Sequence, residues 1–413
     1  MRKRFSIVSL WILSLLFLML NTGCVDEEDQ TKSNIIKLAA ILPMSGELGS
    51  KGEIRKQAIE KGVEDANEKW KEEGLNLQFD LKVEDGQSDP KMALEKAKQL
   101  WEEGYKIFIA GSSAEIEKLQ PWATDNGAIV ISYSSTSPSL GMVGDGVFRM
   151  VPDDTQQAKA LASLLEYEGI YGIVPILRDD VYGRELTKLL SKEFKSLQGI
   201  VSEPVKYQPQ ETDWDHVMGE VSKAVNNLEM EKERIAVVLV SFDEIADIFL
   251  ASEEEKTINE VRWFGTDTVT LSPIILEDKQ IAKNASQVKL TGVTFGIPES
   301  DLFHSVQAEL GSHKGGDFLP DAMFAYDTPL MLATVIGQLN DPFSTVELMN
   351  HLVEGSAAYA GVTGWTLLNE KGDRTYFQYD IWEVQTKSED SFEWNQTAKY
   401  LRSPGFPGYI SPN

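Results

Sequence analysis

Among 413 residues there is one cysteine, Cys24, and only four histidines, His216, His304, His313 and His351. That excludes a disulfide scaffold and any cysteine-based zinc or iron–sulfur cluster, and it leaves little material for a histidine metal site. Positive charge is also scarce: 39 Lys+Arg against 65 Asp+Glu give 39 − 65 = −26. No basic stripe exists beyond Arg2-Lys3-Arg4, so a phosphate backbone is repelled and nucleic acid is not an expected partner. The motifs G-x-S-x-G, H-E-x-x-H and G-x-x-x-x-G-K-[ST] are missing, and with them the usual hydrolase elbow, zinc helix and phosphate loop. Gly141-Met142-Val143-Gly144-Asp145-Gly146 has its glycines in the wrong order for a dinucleotide loop. Asp179-Asp180 reads as a solvated loop pair rather than a cation site. Nothing sets a nucleophile beside a base, so no catalytic residue, cofactor or metal is expected.

What is present begins with three basic residues and an apolar run, Phe5–Leu20, followed by Asn21-Thr22-Gly23-Cys24. A positive start, an apolar centre and small residues before a cut describe a secretory signal over residues 1–23. As a membrane anchor the run is short, and Ser6, Ser9 and Ser14 dilute it. Cys24 then stands where a lipidated cysteine would, and residues 24–34, rich in acid at Asp26-Glu27-Glu28-Asp29, read as a tether. Without the signal's three cations the charge becomes 36 − 65 = −29. The expectation is an extracytoplasmic protein lipid-anchored to the cell membrane.

Hydrophobic content of 42% and charged content of 25% are those of a globular chain, and the length suits two or three domains. From Ile36, short apolar runs alternate with amphipathic stretches. Ile36–Leu42, Lys106–Ala110 and Ala128–Ser132 read as strands, and Leu75–Val83 alternates with period two. Between them Ile54, Ala58, Ile59, Gly62, Val63, Ala66 and Trp70 mark one helix face, and Ser88-Asp89-Pro90 starts another helix. The pattern restarts after Pro152 with helix Thr155–Tyr167 and strand Gly172–Leu177. It continues through strands Ile200–Val205, Ile235–Val240, Val261–Gly265 and Thr291–Phe295 to a helix over Asp321–Leu339. The segment Trp365–Val384 reads as a hairpin turned by Lys371-Gly372-Asp373. Repeated β-α-β units predict an α/β fold of parallel sheets flanked by helices, in two lobes.

In such sheets ligands sit beyond the carboxyl ends of strands. Five strand ends here carry small hydroxyls, aromatics or acid: Gly111-Ser112-Ser113, Tyr133–Pro138, Arg178–Gly183, Ser241-Phe242-Asp243 and Gly265-Thr266-Asp267. Any one alone reads as a helix cap or turn; five together point to a shared cleft. Ser112, Ser113 and the N–H groups behind them suit a carboxylate. Ser134 belongs to the same hydroxyl run, and Ser135 and Thr136 could bond either end of a small zwitterion. Asp267 would pair with an ammonium group, while Tyr182 and Phe242 would wall off an apolar side chain.

Ala40-Ile41-Leu42-Pro43-Met44-Ser45-Gly46 and Glu84–Pro90, with Gly111-Ser112-Ser113, Ile131–Leu140, Phe148-Arg149, Asp179–Gly183, Gly265-Thr266-Asp267, Ala325-Tyr326-Asp327 and Gly364–Arg374, resemble the type I periplasmic binding proteins. The closer resemblance is to the branched-chain amino-acid solute-binding lipoproteins of ABC importers. It implies two Rossmann-like lobes, residues 35–151 plus 295–370 and residues 152–294 plus 371–403, joined by a three-crossover hinge. It also implies a small amino acid or related amide as ligand and permease subunits as partners. By resemblance Ser112, Ser113 and Thr136 hold the carboxylate, Asp267 takes the amino group, and Ser135, Tyr182 and Tyr326 complete the pocket. Phe242 stands where relatives often carry Tyr, and Tyr133 replaces a common Pro. A ligand-sensing domain acting with a signalling partner is the alternative of the same fold.

Overall fold

Short valine-, isoleucine- and leucine-rich runs bounded by helix caps form parallel strands buried on both faces. In the computed structural model, residues 34–208, 212–310, 320–375, 377–389, 391–402 and 408–413 are described. The signal sequence, Cys24 and all of the tether but residue 34 lie outside them. Among the described residues no helix is long and apolar enough to cross a membrane. Residues Ile36–Asn413 form one compact unit.

The first sheet holds β1 (Ile35–Leu42), β2 (Gln78–Asp85), β3 (Ile107–Ala110), β4 (Ile129–Ser132) and β5 (Val147–Arg149), in the order β2-β1-β3-β4-β5. The pairs β1–β3, β3–β4 and β4–β5 are parallel. Helices α1 (Gly52–Glu72), α2 (Pro90–Glu102) and α3 (Ser113–Asn126) connect these strands. Asp89 caps α2 through its side chain, and Ser112 with Glu115 makes a reciprocal capping box at the start of α3.

The second sheet follows α4 (Asp154–Tyr167). Its parallel part contains β6 (Gly172–Arg178), β7 (Ile200–Val201), β8 (Val205–Tyr207), β9 (Ile235–Val240), β10 (Arg262–Gly265) and β11 (Thr291–Phe295). Its helices are α5 (Val181–Ser196), α6 (Trp214–Asn227), α7 (Ile245–Ser252), α8 (Lys256–Asn259), α9 (Pro273–Glu277) and α10 (Lys279–Gln287). After β11 the chain returns to the first sheet through α11 (Asp301–Leu310), α12 (Pro320–Ile336) and α13 (Thr345–Gly355), then the short pair β12 (Ala360–Gly361) and β13 (Gly364–Trp365). Antiparallel β14 (Tyr379–Ser388), β15 (Ser391–Leu401) and β16 (Tyr409–Pro412) extend the second sheet beyond β11.

Three expectations need correction. The strand over Ile200–Val205 is two short strands, β7 and β8, both paired to β6. The strand expected over Leu75–Val83 starts only at Gln78. The expected turn at Lys371-Gly372-Asp373 does form, with Asn369 N–H on the Asp373 carbonyl at 2.8 Å, Thr375 N–H on the Leu367 carbonyl at 2.9 Å and Leu368 bridging Arg374 antiparallel, but its arms pair only there and the long hairpin is β14–β15. Gly372 turns with φ +78°, where a Cβ would lie 2.7 Å from the Val147 carbonyl oxygen. That turn lays the last crossover beside β5, because Arg149 N–H donates to the Gly372 carbonyl at 2.8 Å.

Buried ions bind the crossovers together. Arg149 Nε donates to Asp373 Oδ1 at 2.6 Å, with side chains 1% and 4% exposed. Arg374 donates to the carbonyls of Met150 (3.1 Å), Thr363 (2.9 Å) and Trp365 (2.8 Å) and to the Thr363 hydroxyl (2.8 Å). Helix α12 packs on α1, and Gly62 permits the approach: a Cβ there would sit 2.3 Å from the Tyr326 carbonyl oxygen and 2.8 Å from Pro329 Cγ. Although alanine is the better helix former, Gly62→Ala should therefore destabilise the protein by about 1–3 kcal/mol, read as a lowered midpoint in urea denaturation.

Candidate functional site

The cleft lies between the carboxyl ends of the two sheets. Ser112, Ser113 and Ser134 line it from the first lobe, and Tyr182, Phe242, Asp267, Thr268 and Thr270 from the second. The first wall is an internally bonded hydroxyl turn. Ser132 Oγ accepts from Ser135 N–H at 2.8 Å and donates to the Gly111 carbonyl at 2.7 Å. Ser113 Oγ lies 3.0 Å from Ser135 Oγ and accepts from the N–H of Thr136 (3.2 Å) and Ser137 (3.3 Å). Ser135 and Thr136 are buried behind Ser113 rather than among the lining residues. Ser112 N–H is taken by Glu115 Oε2 at 2.8 Å, so it is committed to the capping box. Arg149 Nη1 donates to the Ser137 carbonyl at 2.6 Å and fixes this turn from beneath.

The second wall is organised by Tyr182. Its hydroxyl donates to Asp267 Oδ1 at 2.8 Å, with the hydroxyls of Thr266 and Thr268 at 3.1 and 3.2 Å. The ring stacks on Phe242 with centroids 5.5 Å apart and planes 19° from parallel. Asp180 caps α5 by accepting from Gly183 N–H at 2.9 Å, which sets Tyr182 at the mouth of the cleft. Asp179 and Asp180 are both occupied by arginines, Arg184 and Arg178. Burial pushes the Asp267 carboxyl above the usual range, opposed by its bonds to Tyr182 and Gln157 and by the nearby Lys51 charge. Burial raises Asp154, behind it, well above that range too, with Asp267 as the next cause, and Asp154 Oδ2 has no hydrogen-bond partner among the described residues. A half-buried acid that raises the proton affinity of a fully buried one behind it makes a place where an added cation is favoured.

Several lining residues were not anticipated. Lys51 and Arg55 enter from α1 and the turn before it and Asp321 from α12, while Asp243, just after β9, comes from a strand end already singled out. Arg55 Nε donates to Asp321 Oδ2 at 2.9 Å. The sequence did hold a signal for the cations: they fall at i−8 and i−4 from Ile59 on the apolar stripe of α1, where a solvated charge does not belong. Asp321 follows Arg55 by 266 residues, a pairing no local pattern carries. Tyr326 lies elsewhere: its hydroxyl donates to Asp65 at 2.7 Å in the α1–α12 interface, and it does not line the cleft.

The lobes are closed on each other. Arg178 Nη2 bonds Glu47 Oε2 at 2.9 Å, Ser50 Oγ donates to Asp243 Oδ1 at 2.9 Å, and Ser139 N–H donates to Glu185 at 3.2 Å. Each of these bonds joins a residue of the first sheet's half to one of the second. No group of three or more His, Cys, Asp or Glu is placed to hold a metal ion among the described residues. None of the described histidines lines the cleft.

A family model described as receptor family ligand binding region matches residues 54–387. An uncharacterized protein of Methanocaldococcus jannaschii, MJ1266, is 25% identical over 406 residues, covering 91% of this chain and 94% of that one. Glutamate receptor 3.7 of Arabidopsis thaliana is 26% identical over 229 residues, 54% of this chain but 24% of the receptor. Among solved structures, the leucine binding protein LivK of Thermotoga maritima superposes with a TM-score of 0.71 at 18% identity, over 87% of this chain and 97% of that one. An ABC transporter substrate-binding protein of Desulfitobacterium hafniense, solved in complex with Leu, gives 0.64 at 18% identity, over 87% and 99%. The fold is accordingly that of the two-lobed type I periplasmic binding proteins. By the match over residues 54–387, the chain belongs to the receptor family ligand binding region family.

Proposed function

We propose that this chain is the extracytoplasmic solute-binding component of an ABC importer, taking a small amino acid or a related amide in the cleft between its lobes. The observation that carries this reading is Asp267. It is a half-buried carboxyl held by Tyr182, beside a fully buried acid, across the cleft from a turn of serine and threonine hydroxyls. An α-ammonium group paired with Asp267 and an α-carboxylate at Ser113 and Ser134 would satisfy both walls. Tyr182, Phe242 and Phe295 supply apolar surface of the kind a branched or aliphatic side chain needs.

The mechanism is closure: a ligand that touches both lobes stabilises the form in which Glu47 meets Arg178 and Ser50 meets Asp243. Residues 35–151 with 295–370, and 152–294 with 371–403, are the two bodies that would move. Anchoring through lipid on Cys24 and delivery to permease subunits complete the reading, and binding rather than catalysis is the role. A thermal-shift screen over L-amino acids and short amides tests it. A ligand at about 100 times its Kd should add about 2.7 kcal/mol to stability and raise the melting point; no shift with any member of the panel overturns the reading.

A second reading, a ligand-sensing domain that works with a signalling partner, draws support from the family's description and from the plant glutamate receptor match. Co-purification separates the two readings: permease subunits recovered with the protein favour transport, and a kinase favours sensing.

A further inference from the structure

Recognition of an α-amino acid by Asp267 and the hydroxyl turn leaves one cation of the cleft without a direct ion-pair partner. Lys51 lines the cleft, is 6% exposed, and stands one helical turn before Arg55. Arg55 is committed: two of its nitrogens bond Asp321 Oδ2, and Nη1 reaches the Leu48 carbonyl at 3.4 Å. Lys51 has no such direct partner, although its charge acts from farther off on the carboxyls of Asp267 and Asp321. No carboxylate lies within 4 Å of its ammonium among the described residues, and its single hydrogen bond is to the Thr268 carbonyl at 3.4 Å. That length is at the outer limit for an N–H···O bond.

An ammonium group carries three donors, so two are left without an acceptor when the lobes close and water is expelled. A buried cation in that condition is costly. Its position narrows what could relieve it. Lys51, on the same lobe as the hydroxyl turn, reaches to Thr268, the neighbour of Asp267 on the second. The α-carboxylate is already assigned to that turn, so the missing acceptor must come from the other end of the ligand. Leu48, Tyr182, Phe242 and Phe295 would pack its methylenes.

We infer that the ligand's side chain ends in an oxygen acceptor, a carboxylate or a carboxamide, received by Lys51. This rests on the amino-acid reading above and replaces its purely aliphatic side chain with a polar-ended one. Leucine in the same place would set two methyl groups against a buried ammonium. Sites built to hydrogen-bond a ligand group discriminate strongly against analogues lacking it.

Calorimetric titration of the purified protein with L-leucine, L-asparagine and L-aspartate, a near-isosteric set, tests the inference. L-methionine, L-glutamine and L-glutamate form the longer set. Wild type should bind the best oxygen-ended member at least about 30-fold more tightly than its apolar counterpart, and the amide and acid arms tell which oxygen group is preferred. Lys51→Met should abolish the preference and strengthen leucine or methionine binding, while Lys51→Arg, which keeps the charge, should retain it. Wild type binding leucine or methionine as tightly as every oxygen-ended member overturns the inference and leaves the amino-acid reading standing. A wild type that binds none of the six but binds another member of the amino-acid and amide panel overturns the inference alone, and one that binds no member of that panel overturns both. The wild-type comparison decides the matter even if a Lys51 variant does not fold.

Discussion

Asp267→Asn should weaken binding of an amine-bearing ligand by about 2–5 kcal/mol, the range for losing one partner of a buried, hydrogen-bonded charge pair. Asparagine keeps the volume and can still accept from the Tyr182 hydroxyl, 2.8 Å away in the parent, so the wall should stand while the charge goes. Calorimetry should show the loss in affinity, and the melting point of the free protein should not fall. Free stability can even rise, because burial holds the Asp267 carboxyl above its usual range, which makes the ionised form a cost to the fold.

The pH dependence has the matching sign. Since the folded-state value is raised, the free protein gains stability from this group as pH falls through the folded value. That gain is complete below the unfolded value. Ligand affinity moves the other way. An ammonium group needs the ionised carboxylate, so affinity should fall by up to about tenfold per pH unit once Asp267 protonates. The fall should begin at a higher pH than an ordinary aspartate would give, and Asp267→Asn should lack that component. Affinity that stays flat to the ordinary aspartate range would remove the role given to Asp267.

The second large effect concerns the crossovers. Arg149→Met should cost about 3–5 kcal/mol of stability, because Asp373 is left as a buried carboxylate with its ion partner gone. The double variant Arg149→Met with Asp373→Asn should recover much of that loss, since the uncompensated charge is then absent. Denaturant titrations of the two single variants, the double and the parent measure the coupling. Affinity should not recover in parallel. Arg149 also holds the Ser137 carbonyl at 2.6 Å, and the double variant still lacks the group that braces the hydroxyl turn. Restored stability with impaired binding is the signature of that second role.

Much of this architecture is local chemistry and so can be read from the sequence. The buried strands around Phe108, Val130 and Val237, the caps Asp89, Ser112 and Asp180, and the hydroxyl-rich strand ends depend on residues within a few positions of each other. Six of the nine ligand residues expected, Ser112, Ser113, Ser134, Tyr182, Phe242 and Asp267, line one cleft. What failed was non-local. Lys371-Gly372-Asp373 does turn the chain, with Leu368 bridging Arg374, but Gly372 also passes close beside Val147, and the long strand pair is β14 with β15. Helix α13 carries a readable start, Ser344 accepting from Glu347 N–H at 3.1 Å, in a stretch the sequence analysis did not assign. Tyr326 sits in a motif that matches the family, yet its hydroxyl is spent on Asp65 across the α1–α12 interface. Nothing in its neighbours in sequence could say so.

The cations on α1 teach the converse lesson. Lys51 and Arg55 continue the stripe of Ile59, Gly62 and Ala66 toward the helix start, and both are buried. A charge on an apolar stripe is a conflict between local pattern and global fold, and such conflicts concentrate at functional sites. Here the conflict marks the cleft.

The central claim is that this cleft recognises both ends of an α-amino acid and closes on it. Its most direct test is titration calorimetry of the purified protein with the best ligand of the panel and two analogues of the same skeleton. One analogue has the α-ammonium replaced by hydrogen, and the other has the α-carboxylate converted to an uncharged ester. One-site binding of the parent amino acid is expected, weakened by about 2–5 kcal/mol when the ammonium is lost, with a clear loss for the ester as well. Equal affinity for all three compounds would contradict the account.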